Sequence, residues 1–346
     1  MHPHPRLGAA SGQLRLPGGF PAIQTGVMGC LRGRRLAGWV VLAALGCPAA
    51  AQETPPANRV VWLEILPEPL PDGAAALGLE FTSQFASETG KDLRSPSGLD
   101  GEEWQVTADF PWRIGRGFLN LRVRVNHRSG GMADQAILTW HKLLGMPAAG
   151  RDRVAPNRLS YLMQVDGVTI ARLDHPVTQL MPLDLAWCLP FGDTHGGGRA
   201  GLSVQLPNGD PGSFGGTGGT AWTLGAAGWL THGPWNLHGQ AEQAFIQLPA
   251  HSLYRMAMDR GQIRRGWIGL GCQLPGPGAL AGLGVDFTLS AQESPYHIGV
   301  AAVDHAGWQQ HWTLIHRHFP RLRFTVSEEA GNGLAPDVTA ALVYRY

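Results

Sequence analysis

The chain is poor in charge, in cysteine and in long apolar runs. Asp, Glu, Lys and Arg make up 15% of its 346 residues, the net charge is +1, and only 4 residues are Cys. A chain without an excess of either sign lacks the basic surface expected of a nucleic-acid-binding protein. Its 48 Gly, 26 Pro and 12 Trp residues favour many short strands joined by turns over long helices.

One continuous apolar run, Leu36–Ala51, follows a cluster of arginines. It is shorter than the roughly 20 residues of a membrane-spanning helix, and it ends on small residues, as a cleaved signal peptide does. We therefore predict an N-terminal extension and signal peptide over residues 1–51, a periplasmic segment over 52–74 and a barrel over 75–346. An alternative makes Cys47 the lipid-bearing cysteine of a lipoprotein.

The last segment of the chain alternates in the way of a transmembrane β-strand. Such a strand turns one face to lipid and the other to a lumen. The positions on the apolar face are Val338, Ala340, Leu342, Tyr344 and Tyr346. A C-terminal strand that ends on an aromatic residue, as this one does at Tyr346, is what the assembly machinery of bacterial outer membranes recognises. We expect this machinery, the lipid bilayer and lipopolysaccharide to be the partners, with no nucleic acid and no cofactor.

The same alternation recurs upstream at roughly ten-residue intervals and predicts about twelve strands. They are centred on residues 75–86, 101–113, 118–127, 177–189, 199–206, 220–230, 235–247, 264–274, 279–291, 307–317, 321–329 and 337–346. Short connections alternate with long ones, as they do at the two rims of an outer-membrane barrel. The predicted fold class is therefore all-β, a transmembrane antiparallel β-barrel of about twelve strands. A soluble β-sandwich is the alternative, since its strands alternate in the same way.

The third candidate strand also predicts a register. If Gly115-Arg116 is a hairpin turn, Asp109 lies directly opposite Arg122 on the inner face. Val123 then points to lipid, where an arginine is costly. Asn120 points inward, where we expect an arginine to cost little because the inner face meets water or polar partners.

One helix, over residues 133–144, is predicted in the longest extracellular loop, and Gly145 ends it. Its apolar side chains share one face, which must lie against the lumen mouth, the rim or the bilayer surface. They are Ala136, Ile137, Trp140, Leu143 and Leu144. We expect this face to pack and to stabilise the loop, with a moving gate as the alternative.

The two cysteines of the mature chain are not expected to form a disulfide. Alternation places Cys188 on an inner face and Cys272 on an outer face several strands away, a separation that disulfide geometry does not allow. Both are predicted to be small buried hydrophobic residues.

Several short motifs follow one another in an order that carries a family resemblance. They are Leu99-Asp100-Gly101-Glu102, Trp140-His141, Leu144-Gly145-Met146-Pro147 with Arg151, Gly192-Asp193, Leu206-Pro207-Asn208-Gly209-Asp210, Gly216-Thr217-Gly218-Gly219, and Ser327-Glu328-Glu329 with Pro336-Asp337. In this order they resemble the uncharacterised proteobacterial family known as domain of unknown function 3187, over most of the mature chain. The family usually has Pro-Thr-Gly where this chain has Pro207-Asn208-Gly209. The resemblance implies an outer-membrane barrel and no established activity.

Inner positions of the predicted barrel carry charges of both signs, so the lumen is not a filter for ions of one sign. The candidate lumen-lining residues are Glu103, Asp109, Arg122, Arg124, Asp184, His238, Glu242, Asp286, His311 and Arg323, with Glu80 and Arg345 on the same face. A barrel of about twelve strands is wider than one of eight, which side chains fill, and narrower than a porin of sixteen. Paired charges could leave a narrow aqueous path in such a barrel or close it.

The sequence predicts an integral outer-membrane barrel that acts as a narrow channel for small solutes. The alternatives are a structural envelope barrel with a plugged polar lumen and, last, an outer-membrane lipid hydrolase. The hydrolase ranks last because His316 and Ser327, which are neighbours in the proposed pairing, point to opposite faces. No metal site is predicted, because His297 and His305 lack further ligands nearby.

Overall fold

The computed structural model describes residues 71–87, 97–145, 154–193, 195–274, 282–304, 307–316, 318–329 and 338–346. The predicted signal peptide with its cleavage site, Cys47 and residues 52–70 lie outside these ranges. The strands are β1 (Ala76–Ser87), β2 (Gly98–Ile114), β3 (Gly117–Ser129), β4 (Tyr161–Val165), β5 (Val168–Leu173), β6 (Val177–Leu180), β7 (Asp184–Gly192), β8 (Gly196–Gln205), β9 (Thr220–His232), β10 (Trp235–Gln247), β11 (Gln262–Gln273), β12 (Leu283–Gln292), β13 (Gly307–His316), β14 (Phe319–Glu329) and β15 (Val338–Arg345). The helices are α1 (Asp134–Leu144), α2 (Tyr254–Ala257) and α3 (Ala301–Asp304), with a 3-10 helix at Pro211–Ser213. No helix in these ranges has the length and apolar composition needed to cross a membrane.

The strands form one antiparallel sheet that closes on itself. Strand β1 pairs with β2 on one side and with the last strand, β15, on the other. The wall continues from β2 to β3, then to β7, and in chain order to β15. Strands β6 and β7 share one position, so the wall has twelve positions in all. The predicted fold class is confirmed.

The two rims of the barrel differ in the length of their connections. At one rim, two-residue turns at Gly115-Arg116 and Gly233-Pro234 join neighbouring strands, and both glycines have positive φ angles, 60° and 56°. Strand β1 begins and β15 ends at this rim, where Ala76 pairs with Arg345. The other rim carries the long connections, including the one that holds α1 and the β4–β5 hairpin. In bacterial barrels the short turns face the periplasm and the long loops face outward.

The fourth wall position differs from the single strand predicted at residues 177–189. Strand β6 pairs with the C-terminal half of β3, and β7 pairs with its N-terminal half. Met181, Pro182 and Leu183 separate them, because proline has no N–H to donate to the strand ladder. The Leu183 amide instead donates a hydrogen bond to Asn208 Oδ1 at 2.9 Å.

The two faces of the wall have opposite chemistry. On the outer face, large apolar side chains are exposed, for example Trp104 at 45% and Leu224 at 52%. On the inner face, polar side chains such as Arg124 and Asn126 are completely buried. A soluble β-sandwich buries its apolar face, so this distribution identifies a barrel whose outer surface meets lipid.

Helix α1 lies on the outer wall at the extracellular rim. The amides of Met132 and Ala133, just before the helix, donate hydrogen bonds to Glu102. Near the end of the helix, His141 Nε2 lies 3.4 Å from Glu328 Oε1. Both carboxylates project from the outer face, because they alternate with the buried inner residues of β2 and β14.

The expected packing of the apolar face of α1 is wrong for most of its residues. Ile137 is buried, but Trp140 is 47% exposed and Leu143 is 77% exposed. The buried face of the helix instead consists of Asp134, Ile137 and His141, which are spaced three and four residues apart. Trp140 and Leu143 point away from the wall at the extracellular rim, where an interfacial tryptophan meets the bilayer surface.

Residues of the long loops and of the extracellular strand ends pack together in an apolar cluster, termed the mouth core. Its members are Leu99, Tyr161, Met163, Ile170, Ala171, Leu173, Met181, Phe214, Ala244, Tyr254, Ala257, Ile263, Tyr296, Ile298, Val300 and Val303. The Tyr254 hydroxyl donates a hydrogen bond to the Pro211 carbonyl at 3.0 Å. Burial raises the pKa of Tyr254 and of Tyr296, so both hydroxyls stay neutral. The two tyrosines therefore add no charge to the mouth core.

Candidate functional site in the barrel interior

The structure places all ten predicted lumen-lining residues on the inner face of the wall. They are Glu103 and Asp109 on β2, Arg122 and Arg124 on β3, Asp184 on β7, His238 and Glu242 on β10, Asp286 on β12, His311 on β13 and Arg323 on β14. All except Arg122 are buried. The interior around them is therefore closely filled by side chains.

Asp109 and Arg122 form an ion pair across the β2–β3 hairpin. They are directly opposite each other, as the register predicts. Arg122 Nε donates a hydrogen bond to Asp109 Oδ1 at 2.8 Å, and Nη2 donates to Oδ2 at 3.1 Å. Asn120 Nδ2 donates a third bond to the carboxylate at 2.8 Å. Asn120 is only 1% exposed, so it faces a polar partner and not water, and an arginine at this position must displace its neighbours.

The next arginines of β3 extend this network. Arg124 Nη2 donates a hydrogen bond to Asp184 Oδ2 on β7 at 3.0 Å. Arg128 donates to Glu103 on β2, and the other oxygen of that carboxylate accepts a bond from Asn126 Nδ2 at 2.8 Å. Three neighbouring wall strands are thus joined by charged hydrogen bonds on the inner face, which are stronger than neutral ones.

Arg128 also ties this network to the mouth core. Its Nη1 donates a hydrogen bond to the Phe214 carbonyl at 2.8 Å, and the side chain is completely buried. Arg128 is not among the predicted site residues, although it continues the alternation of Arg122 and Arg124 along β3. The inner-outer alternation along β3 would have predicted Arg128 as an inner-face residue.

A second network joins β8, β10 and β11. Glu242 accepts hydrogen bonds from Gln240 and from Arg265 Nε. Arg199 Nη2 donates to Gln240 Oε1 at 2.7 Å. Arg199 and Arg265 were not predicted, because their sequence neighbourhoods are rich in glycine and alternate less clearly.

His238 reaches across β11 to Asp286 on β12. Its Nε2 lies 2.7 Å from Asp286 Oδ2, and Thr288 Oγ1 donates a hydrogen bond to Oδ1 at 2.8 Å. Gly269 on β11 lies beneath the imidazole, and a Cβ at this position would overlap the His238 ring. The absence of a side chain at Gly269 therefore allows His238 to reach its partner two strands away.

His311 lies between two hydroxyl groups. Its Nε2 is 2.8 Å from Ser290 Oγ, and its Nδ1 is 2.7 Å from Ser327 Oγ. The histidine beside Ser327 is thus His311, whereas His316 lies near His318 at the periplasmic rim with ring centroids 5.1 Å apart. Hydroxyls occupy both ring nitrogens of His311, so no carboxylate orients the ring as in a hydrolytic triad. In the described ranges no group of three or more His, Cys, Asp or Glu residues could hold a metal ion.

The segment Pro71–Ala75, termed the strap, crosses the periplasmic end of the interior before β1 begins. The Pro71 carbonyl lies 3.9 Å from Cys188 Sγ on β7. Asp72 Oδ2 lies 2.5 Å from Arg345 Nη1 on β15. Because β7 and β15 are separated by several strands on either way round the wall, the strap spans the lumen. Cys188 and Cys272 are both free and buried, as predicted.

The charges around Asp72 favour its ionised form. Burial alone would raise the pKa of Asp72, but the Arg345 guanidinium beside it lowers that pKa. The Ala74 amide and the positive charges of Arg199 and Arg323 act in the same direction, and the pKa of the carboxyl falls below its ordinary value. The strap is therefore held by a charged contact at neutral pH.

A protein-family model matches part of the chain. Residues 77–225 match the family model described as Protein of unknown function (DUF3187). This match confirms the resemblance over these residues, and the motifs Ser327-Glu328-Glu329 and Pro336-Asp337 lie outside it. No curated protein matches the chain.

Several solved structures show a weak similarity to the chain. The chain is similar to an outer membrane channel from Pseudomonas putida F1, with 12% identity, a TM-score of 0.47 and coverage of 85% of this chain and 100% of that one. For the toluene transporter TodX of Pseudomonas putida these values are 8%, 0.39, 87% and 96%, and for the NanC porin they are 8%, 0.41, 78% and 99%. At these identities and TM-scores the similarities carry no conclusion about this chain, whose architecture follows from its own strand pairing. The closed wall, the polar interior and the apolar exterior make the protein an integral β-barrel of the bacterial outer membrane.

Proposed function

We propose that the protein is a narrow channel for small polar solutes, closed at its periplasmic end in the described conformation by the strap. The inner face carries this proposal, because charged and polar side chains line it from the strap to the mouth core. Buried ion pairs are a weak source of stability, since desolvation of both charges offsets their attraction. Ionisable residues inside a membrane protein are costly and characteristically line the paths of solutes or ions.

The mixed charge of the interior supports a path with little preference for the sign of an ion. Arg122 and Arg124 on β3 lie beside acids of β2 and β7, while Glu242 on β10 lies beside Arg265 on β11. Donors and acceptors of both signs suit uncharged or zwitterionic polar solutes. We therefore expect similar permeabilities for small cations and small anions once the channel opens.

A structural envelope barrel with a plugged polar lumen is the second candidate. The burial of the inner side chains favours it, since Arg124 and Arg128 are 0% exposed. A barrel with this role has no open state, whereas a channel opens when the strap moves. The two candidates therefore differ in whether loosening the strap produces conductance.

Asp72→Ala should raise the single-channel conductance in planar lipid bilayers severalfold over that of the wild type. The substitution removes the carboxylate that holds the strap against Arg345 and so unblocks the periplasmic end. The matched control is Asp174→Ala, which removes an exposed aspartate that pairs with Arg172 in a loop, and it should leave conductance unchanged. Because the folded protein lowers the pKa of Asp72, the Asp72–Arg345 contact is fully formed at any pH above the ordinary pKa of an aspartate. The contact is lost as the pH falls through the lowered pKa.

The folding of each variant is measured alongside its conductance. Folded barrels migrate differently on a gel before and after heating, so each variant is scored this way before insertion. If the wild type and Asp72→Ala are both folded and neither gives conductance steps, the structural barrel replaces the channel. Liposome swelling with sugars of increasing size then measures the width of the path in any variant that conducts.

A further inference from the structure

An apolar groove of about 430 Å³ opens on the outer face of the wall, beneath the segment that leads from β3 into α1. Strands β1, β2, β14 and β15 form its floor and sides. The outer-face apolar side chains of these strands that line it are Leu79, Phe81, Trp104, Phe324, Ala340 and Leu342. These side chains belong to the outer face of the wall, so the groove lies on the surface that meets lipid.

The groove exists because a small residue lies among large ones. Ala340 on β15 is paired with Phe81 on β1 and with Val326 on β14. Phe81 packs against Trp104 on β2, on the side away from β15, with ring centroids 4.9 Å apart. The space above the Ala340 methyl group is therefore left open.

The upper end of the groove is a fixed part of the fold. Gly131 has a φ of 67°, and a Cβ there would overlap the Glu102 carboxylate, so only glycine lets the segment approach the wall this closely. The amides of Met132 and Ala133 donate hydrogen bonds to the two oxygens of Glu102. These hydrogen bonds satisfy the Glu102 carboxylate, so the groove below it is lined mainly by apolar side chains.

We propose that this groove binds one acyl chain of lipopolysaccharide. The exposed apolar wall continues from the groove on both sides, so the groove is continuous with the surface in contact with the bilayer. Its upper end lies at the extracellular rim, which places it in the outer leaflet, and lipopolysaccharide is the lipid of that leaflet. The volume lies in the range of a single small-molecule site, so it admits one hydrocarbon chain and not a whole lipid.

The groove can be filled from within by one substitution. Ala340→Leu places a larger side chain in the open space without introducing a polar group. The matched control is Ala226→Leu, because Ala226 is an exposed alanine on the outer face of β9, away from the groove. Each protein is refolded from urea into detergent micelles, titrated with purified lipopolysaccharide and analysed by native mass spectrometry.

Wild type and Ala226→Leu should each retain one lipopolysaccharide, and Ala340→Leu should bind it about tenfold more weakly. A folded Ala340→Leu that binds as the wild type does overturns the proposal, and so does an equal loss in Ala226→Leu. A parallel titration with phosphatidylethanolamine tests the source of the chain, and retention of that lipid alone overturns the assignment to lipopolysaccharide. If heating on a gel shows that Ala340→Leu does not fold, Ala340→Val takes its place, since a β-branched residue suits a strand.

Discussion

Gly269→Ala should lower the free energy of unfolding by about 1–3 kcal/mol, the cost of a buried hydrogen-bond acceptor that loses its partner. The added Cβ would overlap the His238 ring and lie 2.5 Å from Thr288 Oγ1. The imidazole must then leave its place over β11, while Asp286 stays 1% exposed without its histidine partner. Losing this hydrogen bond is costly because Asp286 Oδ2 keeps its desolvation penalty when no partner replaces the histidine.

Unfolding by guanidinium in lipid vesicles measures this loss, and Gly228→Ala is the matched control. At Gly228 the nearest atom to an added Cβ is the Gly197 carbonyl oxygen at 3.6 Å, an ordinary contact. That variant should change stability by less than about 1 kcal/mol. Combining Gly269→Ala with His238→Ala should cost little more than His238→Ala alone, because both act on one interaction. Additive losses would show that Gly269 has another role.

The wall of the barrel could be predicted because its determinants are local. Alternation over a single strand identifies the two faces, and a two-residue turn at Gly115-Arg116 fixes the register of the strands beside it. A slip of one residue would turn Val123 into the lumen and Arg122 into lipid. The pairing of Asp109 with Arg122 was therefore accessible from the sequence.

The filling of the interior depends on contacts that alternation does not record. The alternation shows that His238 points inward, but not that the ring crosses β11 over Gly269 to reach Asp286. It likewise gives the face of Asn120 without showing that Asp109 and its neighbours occupy the space around it. Partners across a lumen lie far apart in the chain, and a pattern within one strand contains no information about them.

The loops illustrate the same limit together with one overlooked signal. The β4–β5 hairpin turns at Asp166-Gly167, where φ is 48° and 78°, and Asp-Gly is a characteristic hairpin sequence. That turn, between apolar residues such as Tyr161 and Ile170, could have been recognised. The joining of the hairpin to Tyr254 and Tyr296 in the mouth core could not, because these residues come from loops of separate strand pairs.

Helix α1 shows why a rule from soluble proteins fails at this rim. An amphipathic helix in water buries its apolar face against protein. Here a bilayer lies beside the helix, so Trp140 and Leu143 can remain exposed to it. Asp134 instead accepts a hydrogen bond from the Asn157 amide in the loop after the helix, and His141 lies beside Glu328 of the wall. The length of the helix was predictable from its own residues, but the face that packs was decided by its surroundings.

Val123→Arg should cost about 2–4 kcal/mol of folding free energy in a bilayer, the cost of an arginine on the lipid face at mid-depth. Val123 lies on the outer face of β3, six residues after Gly117, where the strand begins beyond the periplasmic turn Gly115-Arg116. A transmembrane strand crosses in about 9–11 residues, which places this side chain near the middle of the hydrocarbon layer. The measurement is the fraction of urea-unfolded protein that folds into liposomes, scored by gel migration before and after heating.

The deciding control is a second arginine on the same face of the same strand. Leu119 pairs with Trp112 close to the turn, at the periplasmic interface, where Leu119→Arg should cost only about 0–1 kcal/mol. Both variants add one charge to an outer apolar position, so their difference reports depth in the lipid and not the chemistry of the substitution. Equal impairment would mean that β3 does not cross the bilayer as described, and wild type that stays folded and monodisperse without detergent or lipid would contradict the membrane barrel itself.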